Sequence, residues 1–149
     1  MFTKHNNFIF DWDGVFADTR LDFQPIRDKY FGGERVPLLE AALALPDPGP
    51  LMDEIRRLEI EGAERAVPVE GAVVLAARLV ERARLTGRPW CIVSRNCRDA
   101  VERAAKSCGL PLPPILLTRD DGPVKPDPRA LEAAAALMGV PLDDNTGVG

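Results

Sequence analysis

The sequence holds one histidine, His5, in a polar N-terminal stretch, which argues against histidine-based catalysis. Its three cysteines, Cys91, Cys97 and Cys108, are odd in number and lack zinc-type spacing. They read as reduced thiols of a cytoplasmic protein, with Cys91 and Cys108 as small core residues. Cys97 lies beside a candidate site but has no histidine partner. No stretch approaches the ~20 apolar residues of a membrane span. Met1–Asn7 is polar and is followed by only Phe8-Ile9-Phe10, which is no signal peptide. Basic runs are missing too. The formal net charge is -4, and arginines are interleaved with Glu and Asp as on solvated helix faces. Nucleic acid and membrane are therefore not expected partners.

What is present suits a soluble α/β protein. The 149 residues, 46% hydrophobic and 28% charged, allow one domain or one domain with an insertion. Short apolar runs at 7–10, 90–93 and 115–118 predict strands of a parallel sheet buried on both faces. Helical periodicity falls between and after them. Ala72, Leu75, Leu79 and Ala83 form a stripe in 71–86, and Val101, Ala104, Ala105 and Cys108 form one in 98–108. Leu131, Ala134, Ala135 and Met138 repeat the pattern in 128–138. Gly87, Gly109 and Gly139 are the predicted stops, with Asp127 the N-cap of the last helix and Pro128 its first residue. This alternation predicts a doubly wound parallel sheet.

Residues 15–67 break the alternation. Ile26, Tyr30 and Phe31 predict one helix there, Leu38, Leu39, Leu43 and Leu45 a second, and Leu51, Ile55 and Leu58 a third. The Pro-rich run 46–50 separates the last two. The segment holds no convincing strand and reads as a helical insertion, with residues 1–14 and 68–149 forming the core.

In such a sheet, ligands bind at the carboxyl ends of the strands. The first strand delivers Asp11-Trp12-Asp13-Gly14. Side chains two apart on a strand share a face, so both carboxylates can serve one pocket while Gly14 lets the chain turn away. The second strand delivers Ser94-Arg95-Asn96 before a helix, where a hydroxyl and free N–H groups can hold a phosphate oxygen. After the third comes Lys125-Pro126-Asp127-Pro128. Each piece alone has a plainer reading: turn formers for the two acids, a helix cap for Ser94, a solvated lysine for Lys125.

Together, the three strand ends resemble the haloacid dehalogenase (HAD) superfamily, in its phosphoglycolate-phosphatase-like branch. The resemblance rests on Asp11-x-Asp13-Gly14-Val15 with Asp18 after it, on Ser94, and on Lys125-Pro126-Asp127-Pro128, and it spans essentially the whole chain. Pro68-Val-Glu-Gly71 is similar to the return from a helical cap into the core. The resemblance implies a cytoplasmic phosphatase acting on a small phosphorylated metabolite. Asp11 would attack phosphorus and Asp13 would act as acid and then base. Lys125 would be the third catalytic residue, and Gly14, Ser94, Arg95 and Asn96 would form the phosphate-binding set. Mg2+ would be held by the Asp11 carboxylate and the Asp13 backbone carbonyl. A cation is needed because like charges ~4 Å apart repel by about 4 kcal/mol at an effective dielectric of 20. An acid two residues after the nucleophile favours phosphate esters over dehalogenation.

The family's fourth motif, an acidic pair after a further strand, has no match before the sequence ends at Asn145-Thr-Gly-Val-Gly149. Asp120, Asp121, Asp143 and Asp144 do not fall at that strand end. The expectations that follow are weak metal binding, slow or no turnover, and self-association through an incomplete sheet edge near Phe8–Phe10. The alternatives are a catalytically impaired HAD-like fragment, a phosphomutase, and an Asp-phosphorylated receiver domain. In a receiver, however, the acid lies on a middle strand and no helical insertion follows the first.

Overall fold

The computed structural model describes residues 8–122 and 127–139. Its elements run β1 (Ile9–Phe10), β2 (Ala17–Asp18), α1 (Gln24–Phe31), α2 (Leu38–Leu43), α3 (Gly49–Glu64), β3 (Val67–Pro68), α4 (Ala72–Thr86), β4 (Cys91–Val93), α5 (Arg98–Cys108), β5 (Ile115–Leu117) and α6 (Pro128–Met138). A short 3-10 helix, Arg119–Asp121, follows β5.

The main sheet is parallel in the order β1-β4-β5, with Ile9 opposite Cys91 and Cys91 opposite Ile115. Strand alternation sorts its side chains onto two faces. Phe8, Phe10 and Ile92 join the α4 and α5 residues Leu79, Val101 and Ala104 on one face. Ile9, Cys91 and Val93 meet Ala130, Ala134 and Met138 of α6 on the other. This is the doubly wound arrangement that the alternation predicts. One expectation fails: β5 is only half-buried.

Helix boundaries follow local chemistry. α4, α5 and α6 each end at the expected glycine in a left-handed conformation. The Asp127 side chain accepts a hydrogen bond from the Arg129 N–H at 2.9 Å and caps α6.

The segment 15–67 departs from its expected all-helical character. Ala17–Asp18 pairs antiparallel with Val67–Pro68, tying the way into the helices to the way out. Two-residue strands carry no readable periodicity, which is why the sequence hides them. The helices between them share a small apolar cluster of Ile26, Leu38, Leu39, Ala42, Leu51 and Ile55. Leu43, read as part of that apolar set, is instead 62% exposed. The far half of α3 lies along α5 and contributes Ala63 to the main core.

Burial sets the energetic contrast within α4. Leu79 is 1% exposed and Leu85 is 68% exposed. Leu79→Ala is expected to cost about 2–5 kcal/mol and Leu85→Ala no more than about 0.5 kcal/mol, read from urea denaturation midpoints.

Candidate active site

The loop after β1 is set by aromatic packing. Trp12 is fully buried and stacks on Phe16 with ring centroids 5.8 Å apart, and Phe16 meets Trp90 at 5.9 Å. The Trp12 carbonyl accepts from the Phe16 N–H at 3.0 Å, and the Gly14 N–H donates to the Ala17 carbonyl at 2.9 Å. Gly14 has φ +82°, a conformation that L side chains resist, so glycine is required for this turn. With Trp12 directed into the core, its neighbours Asp11 and Asp13 are left on the other side and feel each other's charge.

A cavity of about 250 Å³ opens beside Asp13, between the sheet end and the inserted helices. Leu21, Phe23, Leu38, Leu39 and Ile55 form its apolar wall. Its polar groups are Asp13, Arg27, Glu59, Arg95 and Asn96. Three of the residues expected from sequence therefore line it: Asp13, Arg95 and Asn96. Asp11, Gly14 and Ser94 do not line it. Asp11 stays within electrostatic reach of Asp13, and Asn96, two residues past Ser94, lies beside Asp13 on the cavity wall. Lys125 and Pro126 lie outside the described residues, as do His5, Asp143 and Asp144.

Ser94 is buried, and its Oγ accepts from the Asn96 N–H at 3.0 Å. The Asn96 Oδ1 accepts from the Cys97 N–H at 2.9 Å. These N–H groups, expected to be free for a phosphate, are thus engaged within the loop. The Ser94 hydroxyl proton and the Asn96 amide N–H groups are the donors its side chains bring to the site. The Arg95 guanidinium donates to Glu40 Oε1 of α2 at 2.7 Å, which ties the strand end to the helical insertion.

Part of Asp13 stays exposed, but its carboxyl lies among protein groups. Loss of hydration pushes it up to about 6. The carboxylates of Glu59 and Asp11 add to the shift, and hydrogen bonds from Asn96 and Thr19 oppose it. The thiols of Cys91 and Cys97 also rise through burial, to about 12 for Cys91, as suits inert core cysteines rather than nucleophiles.

Two residues that the sequence reading missed shape the site. Arg119 and Glu59 form a bidentate ion pair at 2.6 and 2.8 Å, their side chains only 11% and 7% exposed. Arg119 also donates to the Arg95 carbonyl at 2.8 Å. The available signal was an acid on the buried stripe Leu51, Ile55, Glu59, Ala63 of α3. Asp120 and Asp121, weighed as metal ligands, have other work. Asp120 accepts from the Arg98 N–H at the start of α5 and from Arg56, and Asp121 pairs with Arg98 and Thr118. Arg27 contrasts with these arginines: its Nε is shielded from solvent and has no hydrogen-bond partner among the described residues. A buried donor left so costs about 1–3 kcal/mol.

No group of three or more potential metal-ligating His, Cys, Asp or Glu residues occurs among the described residues. Asp11 and Asp13 supply hard oxygen donors only. That set fits a magnesium ion completed by substrate phosphate and water, not a preformed protein cage.

No protein-family model matches the chain, and no curated protein sequence does. Solved structures do. A hydrolase from Pseudomonas syringae is 24% identical with a TM-score of 0.68, covering 97% of this chain and 76% of its own. CbbY from Rhodobacter sphaeroides, solved in complex with phosphate, is 18% identical with a TM-score of 0.62, covering 96% and 76%. The chain has a HAD-like α/β fold. The L-2-haloacid dehalogenase of Xanthobacter autotrophicus, with chloropropionic acid covalently bound, also matches this HAD-like fold at 21% identity and a TM-score of 0.51, covering 91% of this chain and 66% of its own. The fold alone therefore does not choose between phosphate and haloacid chemistry.

Two outcomes are expected. Arg119→Met strands the buried Glu59 charge and is expected to cost about 3–5 kcal/mol in chemical denaturation, while the double variant Glu59→Met, Arg119→Met recovers most of that loss. For Asp13, the raised carboxyl means that the folded protein binds the proton more tightly than the unfolded chain. Its contribution is full below the unfolded value of 3.8 and is lost as pH rises through about 6. The stability of Asp13→Asn relative to the parent, in metal-free buffer, is thus expected to increase between about pH 4 and about pH 7.

Proposed function

We propose that this chain is a phosphatase of the HAD-like type, hydrolysing a small phosphorylated metabolite through an aspartyl-phosphate intermediate. The observation that carries the reading is the pair Asp11 and Asp13 flanking a buried Trp12, with Asp13 and Asn96 lining a small cavity. Asp11 attacks phosphorus while the bond to the leaving oxygen breaks, and Asp13 gives that oxygen its proton. Asp13 then takes a proton from water as the water attacks the phosphoaspartate, which releases phosphate and restores Asp11. Asn96 and Thr19 hold the Asp13 carboxyl in place through both halves. Asp11 and Asp13 would hold Mg2+, which when bound offsets the repulsion between carboxylate and phosphate. Lys125, just before α6, is assigned to the same charge balance.

An acid at position 13 is what favours this reaction over dehalogenation, since only a leaving alkoxide needs a proton. A receiver domain fits less well, because Asp11 follows the first strand of the chain and a helical insertion comes after it.

The test is turnover of para-nitrophenyl phosphate with Mg2+. Asp11→Asn is expected to lower kcat at least about a thousandfold with the fold intact by circular dichroism. Equal turnover by parent and variant overturns the role of Asp11. No turnover by the parent favours the impaired-fragment reading.

A further inference from the structure

The outward side of α4 carries a stripe that the fold leaves largely in solvent. Its residues recur at the three- and four-residue spacings of a helix seam: Val74 and Leu75, then Arg78, then Glu81 and Arg82, then Leu85. The core takes a different side of the helix, through Ala72, Ala76 and Leu79. An open groove of about 770 Å³ runs along the stripe. Val74 is 56% exposed and Leu85 68%, one toward each end of it. Valine is also a poor helix former, so neither burial nor propensity accounts for Val74. Arg82 stands over the Phe8 ring at 5.1 Å, so the stripe borders the strand where self-association is expected.

We propose that this stripe is a docking surface for a second copy of the chain, with the two α4 helices packed antiparallel about a twofold axis. The pattern is self-complementary in that direction. With Arg78 of one copy opposite Glu81 of the other, Val74 falls opposite Leu85 of the other, because both pairs flank the same midpoint of the helix. Twofold symmetry makes each contact twice. Two central layers of opposite charge then lie between two apolar layers. A parallel, in-register pairing instead sets Arg78 on Arg78 and Glu81 on Glu81, which repel. Within one copy Glu81 also pairs with Arg84, but both side chains are more than half exposed, so that contact is readily shared. The face is a single helix about 22 Å long, and association is expected in the range of about 10–100 µM. The stripe shares no residue with the cavity beside Asp13, so the inference stands apart from the phosphatase reading.

The test is sedimentation equilibrium of the full chain from about 1 to about 300 µM. The parent is expected to pass from monomer to dimer across that range. Arg78→Glu and Glu81→Arg, each checked for folding by circular dichroism, are expected to stay monomeric alone, because the central layers then hold like charges. An equal mixture of the two variants is expected to form a dimer of one of each, since every central layer is again acid against base. Leu85→Asp, at a position too exposed to matter for folding, is expected to weaken association at least about tenfold. A parent that stays monomeric throughout overturns the proposal. Association that Leu85→Asp and both charge reversals leave unchanged overturns it too, because the contact then lies elsewhere. A mixture that stays monomeric overturns the antiparallel pairing, and open-ended assemblies in place of a dimer overturn the twofold contact.

Discussion

One guanidinium fixes the geometry on which this site depends. Arg119 leaves β5, crosses to α3 and meets Glu59 away from water. From the same place it holds the Arg95 carbonyl, and its own N–H donates to the Asn96 carbonyl at 3.0 Å. A buried ion pair adds little net stability but is costly to break, because each partner then carries its charge alone. The consequence is positional. α3 cannot slide along the core without stranding a charge, and the loop after β4 cannot shift without losing two hydrogen bonds. Asp120 extends the same lock by joining the first turn of α5 to Arg56 of α3. The inserted helices and the two strand ends are thereby held as one assembly around the cleft.

Against that frame, the acids are placed by what they are not. Asp11 and Asp13 owe their direction to Trp12, whose burial with Phe16 and Trp90 takes the intervening side chain inward. Burial of the indole sets the direction of both carboxylates, although its Nε1 has no hydrogen-bond partner among the described residues and Asp13 is disfavoured as an anion there. Local strain is absorbed at Gly14, where the chain turns.

How much of this could be read in advance depended on whether the cause was local. α4, α5 and α6 begin and end within one residue of their expected limits, because a glycine stop or an Asp cap acts over three or four residues. The strand ends at Asp11, Ser94 and Asn96 were legible for the same reason. The β2–β3 pairing was hidden, since Ala17 and Pro68 meet only through chain closure. Arg119 and Glu59 lie sixty residues apart, and each alone looks like an ordinary surface charge. Arg95 was legible as a cation near the site, yet its partner Glu40 sits on a helix whose placement no local pattern gives.

The charges of the cleft also explain why its aspartate end needs help. Asp13 and Glu59 are its acids, and Arg27 and Arg95 its bases. Glu59 is paired with Arg119 and Arg95 with Glu40. At the aspartate end a phosphoryl group meets carboxylates, where the field opposes it. Positive charge is therefore needed at that end, which is the part proposed above for Lys125 and a bound cation.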